Sequence, residues 1–529
     1  MTRTVIVGAG VAGLATAALL ARQGHDVEVF ERGDAIGGRA GSVERDGFRF
    51  DAGPSWYLMP RVFEHFFELL GTSSAEQLDL RLLDPAYSVF SEPRPDGSPT
   101  PPLTVPYGQE RVEEAFESRE PGARAALRAY LDSAGRAAKM AERYFLYNPY
   151  TRPGPLLRRD VLRALPELAG LLTTSLASFV ARRFRDPVLR QVLGYPAVFL
   201  GASPASAPAI YHLMSALDLA EGVQYPMGGF WELVQRIAAL AEAEGARITT
   251  GADVTAITTS PGAGRRRRVT GVDWRSADGT VRHAAADVVV SAADLHHTET
   301  RLLPPAARTH PERSWRRRVS GPGAVLVLLG VRGALPELAH HSLFFTRDWD
   351  ANFDAIFGDA PRVPDPASIY VCKPSQTDPT VAPEGHENLF VLVPVPADPA
   401  LGRGGPDGSG APAIERAADA AIAQIARWAG IPDLEDRVVV RQSVGPADFA
   451  ERYNSWSGGM LGPAHILRQS AMFRPQNQSR RVAGLYYAGA TTAPGVGVPM
   501  CLISAELVSK RINSDHSSGP TSPQPRSTR

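Results

Sequence analysis

The chain has 529 residues, 44% of them hydrophobic and 21% charged, which excludes a wholly disordered chain and a polytopic membrane protein. At ~100–200 residues per domain it is too long for one simple domain, and its 56 Lys+Arg against 56 Asp+Glu leave no basic excess to suggest a nucleic-acid partner. Two cysteines, Cys372 and Cys501, make neither a disulfide framework nor a CxxC zinc site, so no metal is expected and a reducing, cytoplasmic setting is the simpler assumption.

Residues Val5 to Ala21 are almost entirely apolar and follow Arg3, as in a signal-peptide core. A different pattern accounts for more of the segment. Thr4 to Val7 reads as a buried strand, Leu14 to Arg22 as a helix closed by Gly24, and Asp26 to Glu31 as a second strand ending in an acid. Between the first strand and the helix stands Gly8-Ala9-Gly10-Val11-Ala12-Gly13. Strand, GxGxxG, helix, strand and acid in this order make a dinucleotide-binding unit. Gly8 permits the tight turn, Gly10 lets the backbone approach a pyrophosphate, and Gly13 lets helix and strand pack closely. The helix N-terminus offers free N–H groups to phosphate, and Glu31 is placed to accept ribose hydroxyls.

Arg32 and then Gly37-Gly38-Arg39-Ala40 follow at once. A second glycine pair with an arginine is not needed for NAD. It resembles the extended motif of FAD-containing amine oxidases and carotenoid desaturases, as does Gly47 to Ser55. The resemblance implies FAD, with Gly38 and Arg39 at its diphosphate.

Glu113 to Arg185 reads as helical. Leu162, Leu165, Leu168, Leu172, Leu176 and Phe179 or Val180 recur at helical spacing, as one apolar face flanked by arginines. The uncharged run Ala169–Ala181 is shorter than the ~20 residues of a membrane span, and Pro166 interrupts the pattern. Such a helix packs on the core or lies in a membrane surface; region 156–184 is the candidate docking element. Trp231 to Glu244 reads as a helix. Val254–Thr258 and Val269–Trp274 read as strands around the run Arg265–Arg268, which is expected to be a hairpin loop. Asp287 to Ala292, Ala324–Val331 and Leu389–Val395 read as further strands, and Ile414–Trp428 as a helix. Asp398–Pro412 is expected to be a flexible insertion, and residues 513–529, rich in Ser, Pro, Thr and Arg, a disordered tail.

Near the end, a strand at Leu485–Ala488 leads to Gly489-Ala490, then to Pro494-Gly495-Val496-Gly497-Val498-Pro499-Met500 and a helix at Leu502–Lys510. This segment resembles bacterial carotenoid desaturases of the phytoene desaturase type. So do His340–Phe345, Asp378-Pro379-Thr380 and Gln469–Pro475. The resemblance runs from Thr4 to about Ile512. It implies an α/β (α+β) architecture: a Rossmann-like FAD-binding domain with a mixed-sheet substrate domain and a helical cap. The FAD domain would be discontinuous (1–75, 226–300 and 475–512), with 76–225 and 301–474 forming the substrate domain and its membrane-facing cap. Gly489, Val498, Pro499 and Met500 would approach the flavin, and Val254 would pass its backbone beside the adenine.

The resemblance further implies FAD-dependent oxidation of a long polyisoprene, with phytoene going to lycopene-type carotenes. Two hydrogens leave adjacent carbons and conjugation grows. The electrons pass on to an acceptor such as a quinone or oxygen. So apolar a substrate implies a peripheral enzyme at a membrane surface. His340, His341 and His386 are polar candidates, but no catalytic acid or base is readable. Alternatives are a desaturase or ketolase acting on a C30 or modified carotenoid, a flavin amine oxidase, and a prenyl-binding escort protein that has lost flavin. The intact Gly8, Gly10, Gly13, Glu31 and Arg39 oppose the escort reading.

Overall fold

The computed structural model describes residues 1–152, 154, 158–262 and 266–523. Arg265 of the arginine run, residues 156 and 157 of the expected docking element, and residues 524–529 of the expected tail lie outside them.

Strand β1 (Arg3–Val7), helix α1 (Val11–Arg22) and strand β2 (Asp26–Phe30) follow one another directly. β1 is the centre of a five-stranded parallel sheet. It lies between β2 and the strand Val288–Ser291, with Leu485–Tyr487 and Arg247–Thr249 at the edges. Strands from three distant stretches of chain therefore build one layer. α1 is buried on nearly all sides. It lies against the helices Gly229–Ala243 and Val498–Ile512, whose Phe230, Leu233, Leu502 and Leu507 share its core. Beside this unit, Asp253–Pro261 and Arg267–Arg275 pair antiparallel. Arg267 and Arg268 belong to that second strand rather than to the turn, and Arg267 bonds across to Thr259.

The second unit is a seven-stranded mixed sheet in the order Val438–Val444, Gly323–Arg332, His386–Val395, Ile369–Cys372, His341–Phe345, Tyr87–Ser91, Leu103–Val105. Side chains alternate between faces along a strand, and here both faces are apolar. Val325, Val327, Phe344 and Val371 pack with Ile414, Ile422 and Ile425 of the helix Pro412–Ala429. Leu326, Leu328, Leu343, Phe345 and Tyr370 face the opposite core and the helical cap. The fold is α/β with a large mixed sheet, as the motifs imply.

Three further expectations need correction. The apolar face from Leu162 to Val180 is not one helix: Arg159–Thr173 and Leu176–Ala181 are separate, and Ser175 caps the second. Leu176 and Val180 enter the core, whereas Leu162 and Leu165 are exposed. The segment 398–412 is pinned, not loose. The Gly404 and Gly405 N–H groups donate to Asp448 Oδ2 and Ser443 Oγ, and the Asp407 N–H to the Arg441 carbonyl. The described part of the tail is also tied down. Buried Lys510 donates to the carbonyls of Ser517 and Gly519, and the Thr521 N–H to Glu506 Oε1.

Candidate active site

A cavity of about 690 Å³ runs from the parallel sheet into the second unit. At its first end, Gly8 leaves β1 with φ +99°, a conformation open to glycine, and Gly10 caps α1 without any side-chain bond. The helix therefore turns its N-terminal N–H groups to the cavity without a side-chain cap. Gly8, Gly10, Glu31, Gly38, Arg39, Val254, Gly489, Val498, Pro499 and Met500 all line this one space. Gly13 does not; a Cβ there would stand 1.9 Å from the Gly8 carbonyl oxygen, so its role is contact between helix and turn.

Glu31 holds the turn as well as facing the cavity, since Oε2 accepts from the Ala9 N–H and Oε1 from the Gly33 N–H, both at 2.8 Å. Arg39 donates through Nη2 to Ser455 Oγ at 2.9 Å, and its Nε is buried without a partner among the described residues. A second N-terminus, that of Val498–Ile512, opens on the same space. Arg474, which the sequence offered only as part of a resemblance, braces the loop before it. This fully buried guanidinium donates to the carbonyls of Ala490, Thr492, Pro463 and Gln469. Burial holds its pKa down to about 10. A glycine-built cradle, an orphaned arginine donor and two convergent helix N-termini fit a dinucleotide with an anionic diphosphate.

The far part of the cavity is apolar. Trp56, Leu326, Leu343, Phe345, Tyr370 and Leu392 line it. Tyr195 also lines it, and its hydroxyl donates to Asp218 Oδ2 at 2.7 Å. The Tyr87 hydroxyl donates to the same oxygen at 3.2 Å. Burial pushes the Asp218 carboxyl up to about 7. Nothing local in the sequence marks this trio, whose members lie on three separate elements. Leu172, Leu467, Met472 and Phe473 line the cavity yet are 38%, 42%, 42% and 62% exposed, so they stand where it meets solvent.

The histidines fall elsewhere. His340 and His341 are buried behind the wall, with His341 stacked on Trp56 at 4.3 Å. Desolvation pushes His340 down to about 3 and His341 well below the usual imidazole range, so both are neutral at pH 7. His386 bonds the Glu384 carbonyl and meets Phe48 edge-on, away from the cavity lining.

The model of the flavin containing amine oxidoreductases matches residues 11–513. The chain is 40% identical to a carotenoid 3,4-desaturase of Haloarcula japonica, covering 96% of this chain and 98% of that one. It is 36% identical to a zeta-carotene-forming phytoene desaturase of Myxococcus xanthus, covering 96% and 93%. The chain belongs to the carotenoid desaturases of the flavin containing amine oxidoreductase family. A carotenoid desaturase of this type is an FAD-dependent oxidoreductase, in agreement with the cradle described above. The same fold appears in putrescine oxidase bound to putrescine, with a TM-score of 0.60 at 17% identity over 97% of this chain and 99% of that one. An oxidoreductase of Methanosarcina mazei gives 0.61 at 16% identity, covering 96% and 100%.

Proposed function

We propose that this desaturase acts on a long acyclic carotenoid, introducing double bonds into phytoene to extend its conjugation. The observation that carries the reading is the continuity of one apolar cavity between the dinucleotide cradle and the exposed rim. Bound in the cradle, FAD would supply a two-electron acceptor, so that hydride would leave an allylic carbon and a proton would leave the neighbouring carbon to solvent. The protein contributes alignment and a dry environment. Trp56, Leu343, Phe345 and Leu392 confine an extended hydrocarbon and exclude water. The N-termini of α1 and of Val498–Ile512 favour negative charge at the cradle end. Gly8, Gly10, Glu31, Gly38, Arg39, Val254, Gly489, Val498, Pro499 and Met500 are the proposed cofactor contacts, with Gly13 holding their geometry. A quinone or oxygen is the proposed acceptor that would reoxidise the group.

The 40% identity to a carotenoid 3,4-desaturase favours a second reading, in which the substrate is a carotenoid already partly desaturated. One experiment separates the two. The gene is expressed in a bacterial host that accumulates phytoene and in one that accumulates lycopene, and the pigments are resolved by chromatography with absorbance detection. A coloured product in the first host supports phytoene desaturation. A longer chromophore in the second host alone supports the other reading, and unchanged pigments in both sink both.

We also propose that the rim docks on a bilayer. Among the described residues no helix is long and apolar enough to cross a membrane. Leu172, Leu467, Met472 and Phe473 nevertheless leave apolar surface at the opening, with Arg182, Arg183 and Arg185 exposed farther along the cap. Replacing Leu172, Met472 and Phe473 with Glu is expected to abolish sedimentation with anionic liposomes while the flavin spectrum persists. Unchanged sedimentation would remove this surface from consideration.

A further inference from the structure

The strand His341–Phe345 runs antiparallel to Ile369–Cys372, with His341 directly opposite Cys372. Directly paired residues put their side chains on one face of a sheet. His340 stands at the entry to the strand, where its carbonyl accepts from the Lys373 N–H. All three side chains are buried, at 3% (His340), 0% (His341) and 3% (Cys372) exposure. One ring nitrogen of each histidine and the Cys372 sulfur lie within 4.8 Å of one another.

The two imidazoles are held in the same way. His340 Nδ1 is 2.7 Å from Thr377 Oγ1, and His341 Nδ1 is 2.8 Å from the Tyr370 hydroxyl. Among the described residues, the Nε2 atom of each ring is buried with no partner. A buried polar atom left unpaired costs about 1–3 kcal/mol, and here the two histidines that carry them each bring one ring nitrogen within 4.8 Å of a buried thiol. A nitrogen anchored by a hydrogen bond, with the opposite nitrogen free, is how proteins orient a metal-binding imidazole.

We propose that His340, His341 and Cys372 bind one copper(I) ion in a three-coordinate site behind the cavity wall. Imidazole and thiolate together select a soft ion. Charge then chooses among soft ions. A thiolate with a monovalent ion is neutral, whereas a divalent ion would leave a net positive charge in a buried site, which is costly. On binding, the Cys372 S–H bond breaks and its proton goes to solvent. One S–Cu bond and two N–Cu bonds form, and no electron is transferred. Ligand atoms about 2.0–2.3 Å from a shared centre at trigonal angles stand about 3.5–4.0 Å apart, so the three converge by up to about 1 Å. Rotation about the Cys372 Cα–Cβ bond and movement of His340, which lies outside the strand, provide that convergence. Sequence reading overlooked the site because its members are separated by 31 residues of chain and show no ligand spacing.

This inference does not depend on which carotenoid is the substrate. Trp56, stacked on His341, is a built-in reporter. The full-length flavoprotein is titrated anaerobically with copper(I) buffered by bicinchoninate, and metal content and tryptophan fluorescence are followed. Wild type is expected to take up one equivalent with quenching. The Cys501→Ser variant is expected to do the same, and Cys372→Ser is expected to lose both signals while its flavin spectrum persists. X-ray absorption at the copper edge should show two nitrogens and one sulfur in wild type, which keeps the test decisive if Cys372→Ser fails to fold. No uptake, uptake that follows Cys501, or a different first sphere overturns the site. Preferential uptake of zinc(II) overturns the assignment to copper.

Discussion

Where the cavity passes Gly8, Gly10, Gly38 and Gly489, its wall is backbone; where it passes Leu326, Leu343, Phe345 and Leu392, its wall is side chain. The first stretch must meet a fixed polar group at close range, so it needs particular residues in particular conformations. The second must exclude water from a long apolar chain, and many combinations of similar volume do that. The cradle is thus specified residue by residue and the tunnel only in sum. Substitutions should be severe in the first and graded in the second.

Gly13→Val should produce the largest effect. Its Cβ alone would stand 1.9 Å from the Gly8 carbonyl, and neither backbone can yield without displacing α1 from β1. The expected cost is at least about 3 kcal/mol, read as loss of soluble yellow protein. A folded, flavin-loaded variant would show that the close approach of helix to turn is dispensable. Arg39→Met should be milder and more specific. It removes the orphaned Nε and the bond to Ser455 but keeps an unbranched apolar stem. Flavin affinity is expected to fall about a hundredfold, about 2.7 kcal/mol, with the apoprotein melting curve little changed. Equal loss of both would make Arg39 a structural residue.

The same contrast explains what could be read in advance. The strand–GxGxxG–helix–strand–acid series and the Pro-Gly-x-Gly-x-Pro ending are local, and each glycine answers a local steric demand. They were legible without any long-range information, and the structure brings both series to one cavity. The Tyr195–Asp218–Tyr87 trio was not legible, because the cap and the mixed sheet supply its members separately. The apolar face of 159–181 was legible as apolar. Its division at Ser175 depends on the Leu176 and Ala177 N–H groups donating to the carbonyls of Ala207 and Pro204, which only the folded cap provides. The segment 398–412 has the composition of a loose loop, yet Asp448, Ser443 and Arg441 hold it from afar.

The smallest effect tests whether the tunnel half contains any polar element as specific as the cradle. Asp218 is wholly buried, and its carboxyl is pushed up to about 7. An unfolded aspartate titrates near ~3.9. Between these values the folded protein holds a proton that the unfolded chain has lost, so this group makes stability fall as pH rises from about 4 to about 7, and adds no further change above. Asp218→Asn resembles the protonated acid. Its carbonyl can take the place of Oδ2, which accepts from both tyrosines, and its NH₂ the place of the unpartnered Oδ1. Relative to wild type the variant should therefore gain about 2–3 kcal/mol of stability between pH 5 and pH 8. Urea midpoints at the two pH values measure this difference, and every other titrating group cancels between the two proteins. Parallel pH profiles would mean that the carboxylate is ionised in place and that Tyr195 is oriented by an ordinary charged acceptor. A gain of the expected sign would mark one position behind the apolar wall where residue identity matters as strictly as it does in the glycine cradle.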